Sequence, residues 1–343
     1  MKFSVRVACS IAEVDRSSWS RLSANRPFAS YDWLQFGESV CAPGPWWYVL
    51  VYDTEMLLAA AIFQLARSEP LPLSNRLERW LAGRIFAARP LLICRAPLAD
   101  WSGLILPDGD GRSEALRLIC DTTRSIARSQ KVSFVVFDYL NSADLSDGWQ
   151  KAGYFTTAVP DAGTVLTLDQ SDYDAFVSQL PKSVHKDYRR QRNQAAARKI
   201  TIQVEQTPQS PREMLRLIRA VERHHQVMPK PWAEAILRQP EGEKHTWLAA
   251  YQEHRLVGCG LLLNDQGVYT ATLLGLDYQV PYTYFQLMYA AIRRAFDQKG
   301  CSFRGGSGAY AFKLRLGFIK EDNHHLAFTG GSPVFRWLGK YFC

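Results

Sequence analysis

One succession of elements, strand then helix then strand, occurs twice in this chain and constrains its fold more than any other feature. In the first half it runs through residues 102–106, 113–129 and 132–139, and in the second through 267–276, 282–299 and 301–304. Leu116, Ile119, Thr123 and Ile126 share one face of the first helix, as Phe285, Tyr289, Ile292 and Phe296 do on the second. Spacings of three and four residues line one side of an α-helix. Two copies of one α/β unit are the simplest account. A length of 343 residues also exceeds the ~100–200 of a typical single domain.

Around the second copy the pattern fills out. Helical segments at about 208–226 and 231–239 precede the apolar runs 246–251 and 256–263, which the polar turn Gln252-Glu253-His254-Arg255 joins as a hairpin. Gly300 stands where a C-cap glycine closes a helix. The first half shows the same order more faintly, with a helix at Tyr31–Val40 and strands at Trp47–Tyr52 and Leu57–Leu65. A proline- and arginine-rich stretch, about 66–100, then interrupts with charges and no clean period. Asp161-Ala162-Gly163 leads into a strand at Thr164–Leu168 near the lobe boundary, which gives lobes of 1–165 and 166–343. Phe335–Phe342 reads as a short aromatic helix packing onto a lobe, or equally as a partner-facing tail.

About half the residues are apolar, enough for two packed cores and against disorder. The seven cysteines are scattered and form no C-x-x-C pair, so neither a disulfide framework nor a zinc site is indicated. Arg6 breaks the N-terminal apolar run, and no uncharged stretch approaches the ~20 residues of a membrane span, so a cytoplasmic protein is expected. The formal charge of +8 is concentrated: Lys182–Lys199 holds seven basic residues against Asp187 alone, an excess of six. Lys182, Lys186 and Arg189 fall on one helical stripe. Such a stripe attracts phosphates on a nucleotide, a tRNA or a membrane surface, or is a solvated face.

The segment Gly305-Gly306-Ser307-Gly308-Ala309-Tyr310-Ala311-Phe312-Lys313-Leu314-Arg315-Leu316-Gly317-Phe318 follows the last strand of the second copy. Its glycines let the backbone turn closely around a ligand, and an aromatic and a lysine sit side by side at the first turns of the helix behind it. Strand, glycine turn, Phe-Lys and Leu-Gly-Phe in that order resemble the end of the second lobe of FemAB-like transferases, which are built on the GNAT acyltransferase fold and form amide bonds. The region Glu222-Arg223-His224-His225 to Pro231-Trp232 is similar to a helix junction of that family. The resemblance covers roughly 165–335 and implies an α/β protein with mixed sheets, two tandem GNAT-like lobes and a cleft between them. No coiled-coil arm interrupts the second lobe, which aligns the chain with the compact members.

GNAT enzymes that use acetyl-CoA cradle its pyrophosphate on amides of a glycine-rich loop before a helix. The matching stretch here, Asp277-Tyr278-Gln279-Val280-Pro281-Tyr282-Thr283-Tyr284, has no glycine, an acidic residue and a proline. That counts against CoA and matches the resemblance, which implies an aminoacyl-tRNA donor and no bound cofactor. The resemblance makes Lys313 the stabiliser of a tetrahedral oxyanion, with Phe312 packed beside it, whereas the local pattern alone reads Lys313 as a surface lysine of an amphipathic helix. Tyr310 is read as orienting the acceptor amine, stacking on the donor adenosine or anchoring the glycine turn. Lys186, Tyr188, Arg189 and Arg192 are candidates for contacts to a phosphate-rich substrate, and Tyr282, His224 and His225 for the rest of the substrate site. A histidine could take the amine proton, or simply cap its helix, and Glu222 and Asp277 are alternative acceptors. No Ser-His-Asp order, nucleophile elbow, Walker loop or metal-ligand spacing is present. The expected reaction is transfer of an aminoacyl group from charged tRNA to an amine of a peptidoglycan precursor or other metabolite. The rivals are an acyl-CoA-dependent N-acyltransferase and a non-catalytic protein that binds tRNA or anionic lipid.

Overall fold

The structure, a computed structural model, describes the chain except residues 1, 68, 70–75, 160, 241, 334 and 337–343 and the side chains of 76–79 and 82. It divides into one unit of Met1–Pro160 with Asp322–Cys343 and another of Asp161–Glu321. The first contains β1 (Phe3–Ala8), α1 (Arg16–Leu22), α2 (Tyr31–Val40), β2 (Trp46–Asp53), β3 (Met56–Ala66), α3 (Arg76–Ala88), β4 (Leu91–Cys94), β5 (Leu104–Ile105), α4 (Arg112–Ser129), β6 (Phe134–Leu140), α5 (Asp147–Lys151) and β7 (Phe155–Ala158). The second contains β8 (Thr164–Thr167), α6 (Tyr173–Gln179), α7 (Lys182–Ala197), β9 (Ile200–Glu205), α8 (Pro211–His224), α9 (Ala233–Ile236), β10 (His245–Gln252), β11 (Arg255–Asp265), β12 (Val268–Leu276), α10 (Thr283–Asp297), β13 (Ser302–Arg304), α11 (Tyr310–Arg315) and β14 (Ile319–Lys320). The last strand, β15 (His325–Gly330), returns to the first unit.

Each unit holds one mixed sheet, and the two sheets follow one plan. The first runs β1-β2-β3-β4-β6-β15-β7 with β5 also on β3, and the second, read from its other edge, runs β9-β10-β11-β12-β13-β8-β14. Parallel pairing occurs at the same place in each, β4 with β6 and β12 with β13, where α4 and α10 make the crossovers. In the first sheet β4 and β5 together take the place of β12. Gly103 closes the excursion between them so tightly that a Cβ there would lie 2.9 Å from the Arg95 nitrogen. The helices carrying the expected apolar faces bury them: Leu116, Ile119, Thr123 and Ile126 on α4, and Tyr289, Ile292 and Phe296 on α10, with Phe285 half-buried.

Two expectations need correction. The units do not divide at 165, because β15 pairs with both β6 and β7, Phe328 lying opposite Val136 and Phe155. The last residues therefore belong to the first unit. The stretch 66–100 is not irregular but holds α3 and β4. At the C-terminal end the Phe335 ring meets Phe134 at 5.4 Å, while residues 337–342 of the expected aromatic helix lie outside the described residues. Among the described residues no helix is long and apolar enough to cross a membrane.

Candidate active site

The site of interest forms where β12 and β13 part. Their pairing covers only Val268–Thr270 against Ser302–Arg304. After Arg304 the chain turns away through Gly305, Gly306 and Gly308, the last two at φ 66° and 82°, while β12 continues along β11 to Leu276. Within that stretch the register against β11 steps by one between Gly260 and Leu262, so β12 carries an extra residue between Ala271 and Leu274, a bulge that bends the strand. The opening is a cavity of about 320 Å³ lined by Leu274 and Leu276 of β12, the chain from Asp277 to the first residues of α10, Ala309 of the glycine turn and His225.

The loop from β12 to α10 has little to offer a phosphate. The Asp277 amide donates to the Val257 carbonyl at 2.9 Å and that of Val280 to the Asp277 carbonyl at 3.0 Å. The Gln279 amide donates to the Asp277 carboxylate at 3.0 Å, and Pro281 has no N–H. Burial alone would raise the pKa of Asp277, but the Gln279 amide and the Arg255 guanidinium, 2.7 Å away, outweigh it and hold the carboxyl below its ordinary value. An anionic group therefore stands in the loop. Gly258 of β11 lets α10 begin here, since a Cβ would come 2.5 Å from Cγ2 of the buried Thr283.

At the mouth, the end of α8 meets the loop. The ring of His224 stacks on Tyr278 at 4.2 Å between centroids, and Nε2 of His225 is 3.1 Å from the Tyr278 hydroxyl. Tyr278 and His225 both line the cavity, and partial burial pushes the Tyr278 phenol up. Of the residues expected in a substrate site, the structure thus gathers His225 and Tyr282 on the cavity and His224 one ring away. Tyr282 caps α10 with a left-handed backbone (φ 74°), and the Arg198 guanidinium lies 5.1 Å from its ring centroid. Glu222 is not available as a base, because Arg219 donates to it at 2.7 Å and the Lys230 amide at 3.1 Å.

Lys313 is buried, and its ammonium donates to the carbonyls of Gly305, Gly306 and Ser307 at 2.6, 3.2 and 3.3 Å. Its three protons are thereby all engaged, so it holds the glycine turn together rather than presenting a donor to the cavity. Burial pushes its pKa down to about 8. Tyr310 also serves the turn, donating its hydroxyl to the Ala162 carbonyl at 2.6 Å. Phe312 packs edge-on against Phe285 at 4.9 Å and Tyr284 at 5.7 Å, which joins α11 to α10 one side chain behind the cavity wall.

On α7, Lys186, Arg189 and Arg192 are exposed, while Asp187 is paired with Arg190 at 3.2 Å and with Arg315. Tyr188 is a core residue instead of a surface contact. Its ring meets Tyr289 at 4.7 Å and its hydroxyl accepts from Arg192 at 3.2 Å. It shares a helix face with the buried Val184, Gln191 and Ala195, and this phase takes it inward. None of these α7 residues lines the cavity. Sequence reasoning missed Tyr278 as a partner of His225, since the two are 53 positions apart and no local pattern links them. It also missed the apolar wall of Leu274, Leu276 and Val280.

Comparison of the whole chain with solved structures gives strong matches across both units. FemX is 10% identical, with 95% of this chain and 97% of that one covered at a TM-score of 0.62. A tandem GNAT protein from the clavulanic acid biosynthesis pathway is 13% identical, with 97% and 99% covered at 0.61. The chain has a tandem GNAT fold. The C-terminal domain of a putative lysylphosphatidylglycerol synthetase from Agrobacterium fabrum shares it at 14% identity, 97% and 96% coverage and a TM-score of 0.55. No protein-family model and no curated protein matches the sequence itself. At such identities the likeness concerns the backbone plan, and function has to be argued from the site.

Proposed function

We propose that this chain is an acyltransferase that joins an acyl group to an amine at the β12–α10 cavity, and that its donor is an aminoacyl ester of tRNA. The observation that carries this reading is the loop 277–281: the amides of Asp277, Gln279 and Val280 are bonded within the protein, Pro281 has none, and an ionised carboxylate stands among them. The donor's phosphates would lie instead along the exposed cations of α7, Lys186, Arg189 and Arg192, where each neutralised phosphate releases counterions.

In the reaction the amine lone pair attacks the ester carbonyl carbon and forms the C–N bond. The C–O bond to the ribose then breaks, and the ribose oxygen leaves with a proton. The Tyr278 hydroxyl on the cavity wall, hydrogen-bonded to Nε2 of His225, is suited to relay the proton the amine loses: it would take that proton as it passes its own to Nε2. The first-turn amides of α10 at Thr283 and Tyr284, the positive end of a helix dipole, would face the oxyanion. The acceptor is an amine of a peptidoglycan precursor or another metabolite, and charged tRNA as donor implies a cytoplasmic setting.

Incubation with charged tRNA or with a panel of acyl-CoA thioesters, each with an amine panel and read by mass spectrometry, tests this. An amide product is expected from the tRNA arm. Product from the thioesters alone would overturn the donor, and no product in either arm, with tRNA bound, would leave a binding protein.

A further inference from the structure

Helix α3 carries an apolar face that the described residues of the first unit leave exposed. The helix is fixed to its sheet by Phe86, which is buried with Leu91 and Ile93. Arg67 also donates to the Ala87 carbonyl at 2.7 Å. On the far side Trp80, Leu81 and Ile85 are 57%, 46% and 36% exposed. At about 100° per residue, Trp80, Leu81, Arg84 and Ile85 share one arc that faces away from Phe86. The Arg84 guanidinium lies 5.4 Å from the centre of the Trp80 ring, so cation and aromatic occupy the same face.

Charge indicates what could cover it. From Arg79 to Arg89 the sequence has three arginines and no acidic residue. Past the end of the helix Arg89 turns to the anchored side, its guanidinium 5.9 Å from the Phe335 ring, which packs on Phe134. A tryptophan, two branched aliphatic residues and an arginine on one helix face match a surface that offers hydrocarbon and negative charge within a few ångströms of depth. An anionic bilayer is such a surface: the apolar side of an interfacial helix sinks about 5–10 Å to the headgroup boundary while its cations meet lipid phosphates. Indole rings favour that boundary, where one side is apolar and the other wet.

We propose that α3 docks this protein reversibly on an anionic membrane surface, with Trp80, Leu81 and Ile85 inserted and Arg84 on lipid phosphates. The inference does not depend on the reaction assigned above, since α3 lies in the first unit and the cavity in the second.

The test is co-sedimentation of the full chain with vesicles of phosphatidylcholine alone or mixed with phosphatidylglycerol. Binding to the mixed vesicles that weakens with added salt is expected, with little to pure phosphatidylcholine. The triple variant Trp80→Ser, Leu81→Ser, Ile85→Ser should bind the mixed vesicles at least about tenfold more weakly. Its far-UV spectrum and melting temperature should match the wild type, because these side chains are exposed. The pair Lys186→Ala, Arg189→Ala on α7 should retain binding. A blue shift of tryptophan emission on binding should disappear in Trp80→Phe. Equal binding by the triple variant, loss of binding in the α7 pair, or no preference for anionic lipid would each overturn the proposal. So would a dimer in light scattering that the triple variant abolishes, since a second copy would then cover the face.

Discussion

Lys313→Met removes an ammonium whose three protons end on the carbonyls of Gly305, Gly306 and Ser307, at 2.6, 3.2 and 3.3 Å. Methionine keeps the length of the side chain and its helix propensity, so the change isolates the hydrogen bonds. Ser307 is exposed and Gly306 half-exposed, so water can replace the donor there. The Gly305 carbonyl makes the shortest of the three bonds, and although Gly305 is half-exposed like Gly306, Phe318 and Thr164 stand 3.0 Å from where its Cβ would be and leave water the least room there. One acceptor left unpaired away from water costs about 1–3 kcal/mol. A loss of about 2 kcal/mol in unfolding free energy by denaturant titration at neutral pH is therefore expected.

The pH dependence gives a second check. Burial holds Lys313 at about 8, below its ordinary 10.5. Between those values the unfolded chain keeps a proton that the folded chain has released, so the folded state gains stability as pH rises. The slope approaches about 1 kcal/mol per pH unit. Methionine has no such proton, so the gap between wild type and variant should widen as pH climbs from about 8 toward 10. A gap that stays flat or narrows would refute the buried-ammonium reasoning. Unchanged stability with turnover lowered about 100-fold would instead return Lys313 to the oxyanion role that the family resemblance implies.

Tyr278→Phe keeps the ring that stacks on His224 and removes only the hydroxyl that meets His225. On the proposed mechanism kcat should fall about 100-fold with KM little changed, and so it should in His225→Ala; a change in KM alone would make the pair a binding contact. Replacing Lys186 and Arg189 with alanine should weaken tRNA binding and flatten its dependence on salt, by about one unit of slope for each phosphate no longer neutralised. An unchanged slope in a gel-shift series would return α7 to a solvated face.

Elements whose burial follows the helical period could be read before the fold was known. The faces of α4 and α10 are written in their spacing, because each packs one whole side on a sheet. The same logic explains why α3 was illegible: Phe86 is its anchor and the opposite face is apolar too, so no contrast between sides marks the period. The edge strands β1 and β9 are largely exposed and give only a weak alternation. The degenerate loop at 277–284 was legible because glycine and proline act locally, whereas its internally bonded amides depend on the folded loop.

Sequence alone thus determined the doubled α/β plan, the unusual loop where a pyrophosphate cradle would stand, and the concentration of positive charge on α7, since each depends on neighbours along the chain. Tertiary structure decided the rest. It carried β15 back to the first sheet, turned Tyr188 into the core, brought His225 to Tyr278, and closed the glycine turn around the ammonium of Lys313. Each of these is a contact between segments distant in sequence or a matter of which way a side chain faces. Such choices are fixed by where buried polar groups find partners, which local periodicity does not encode.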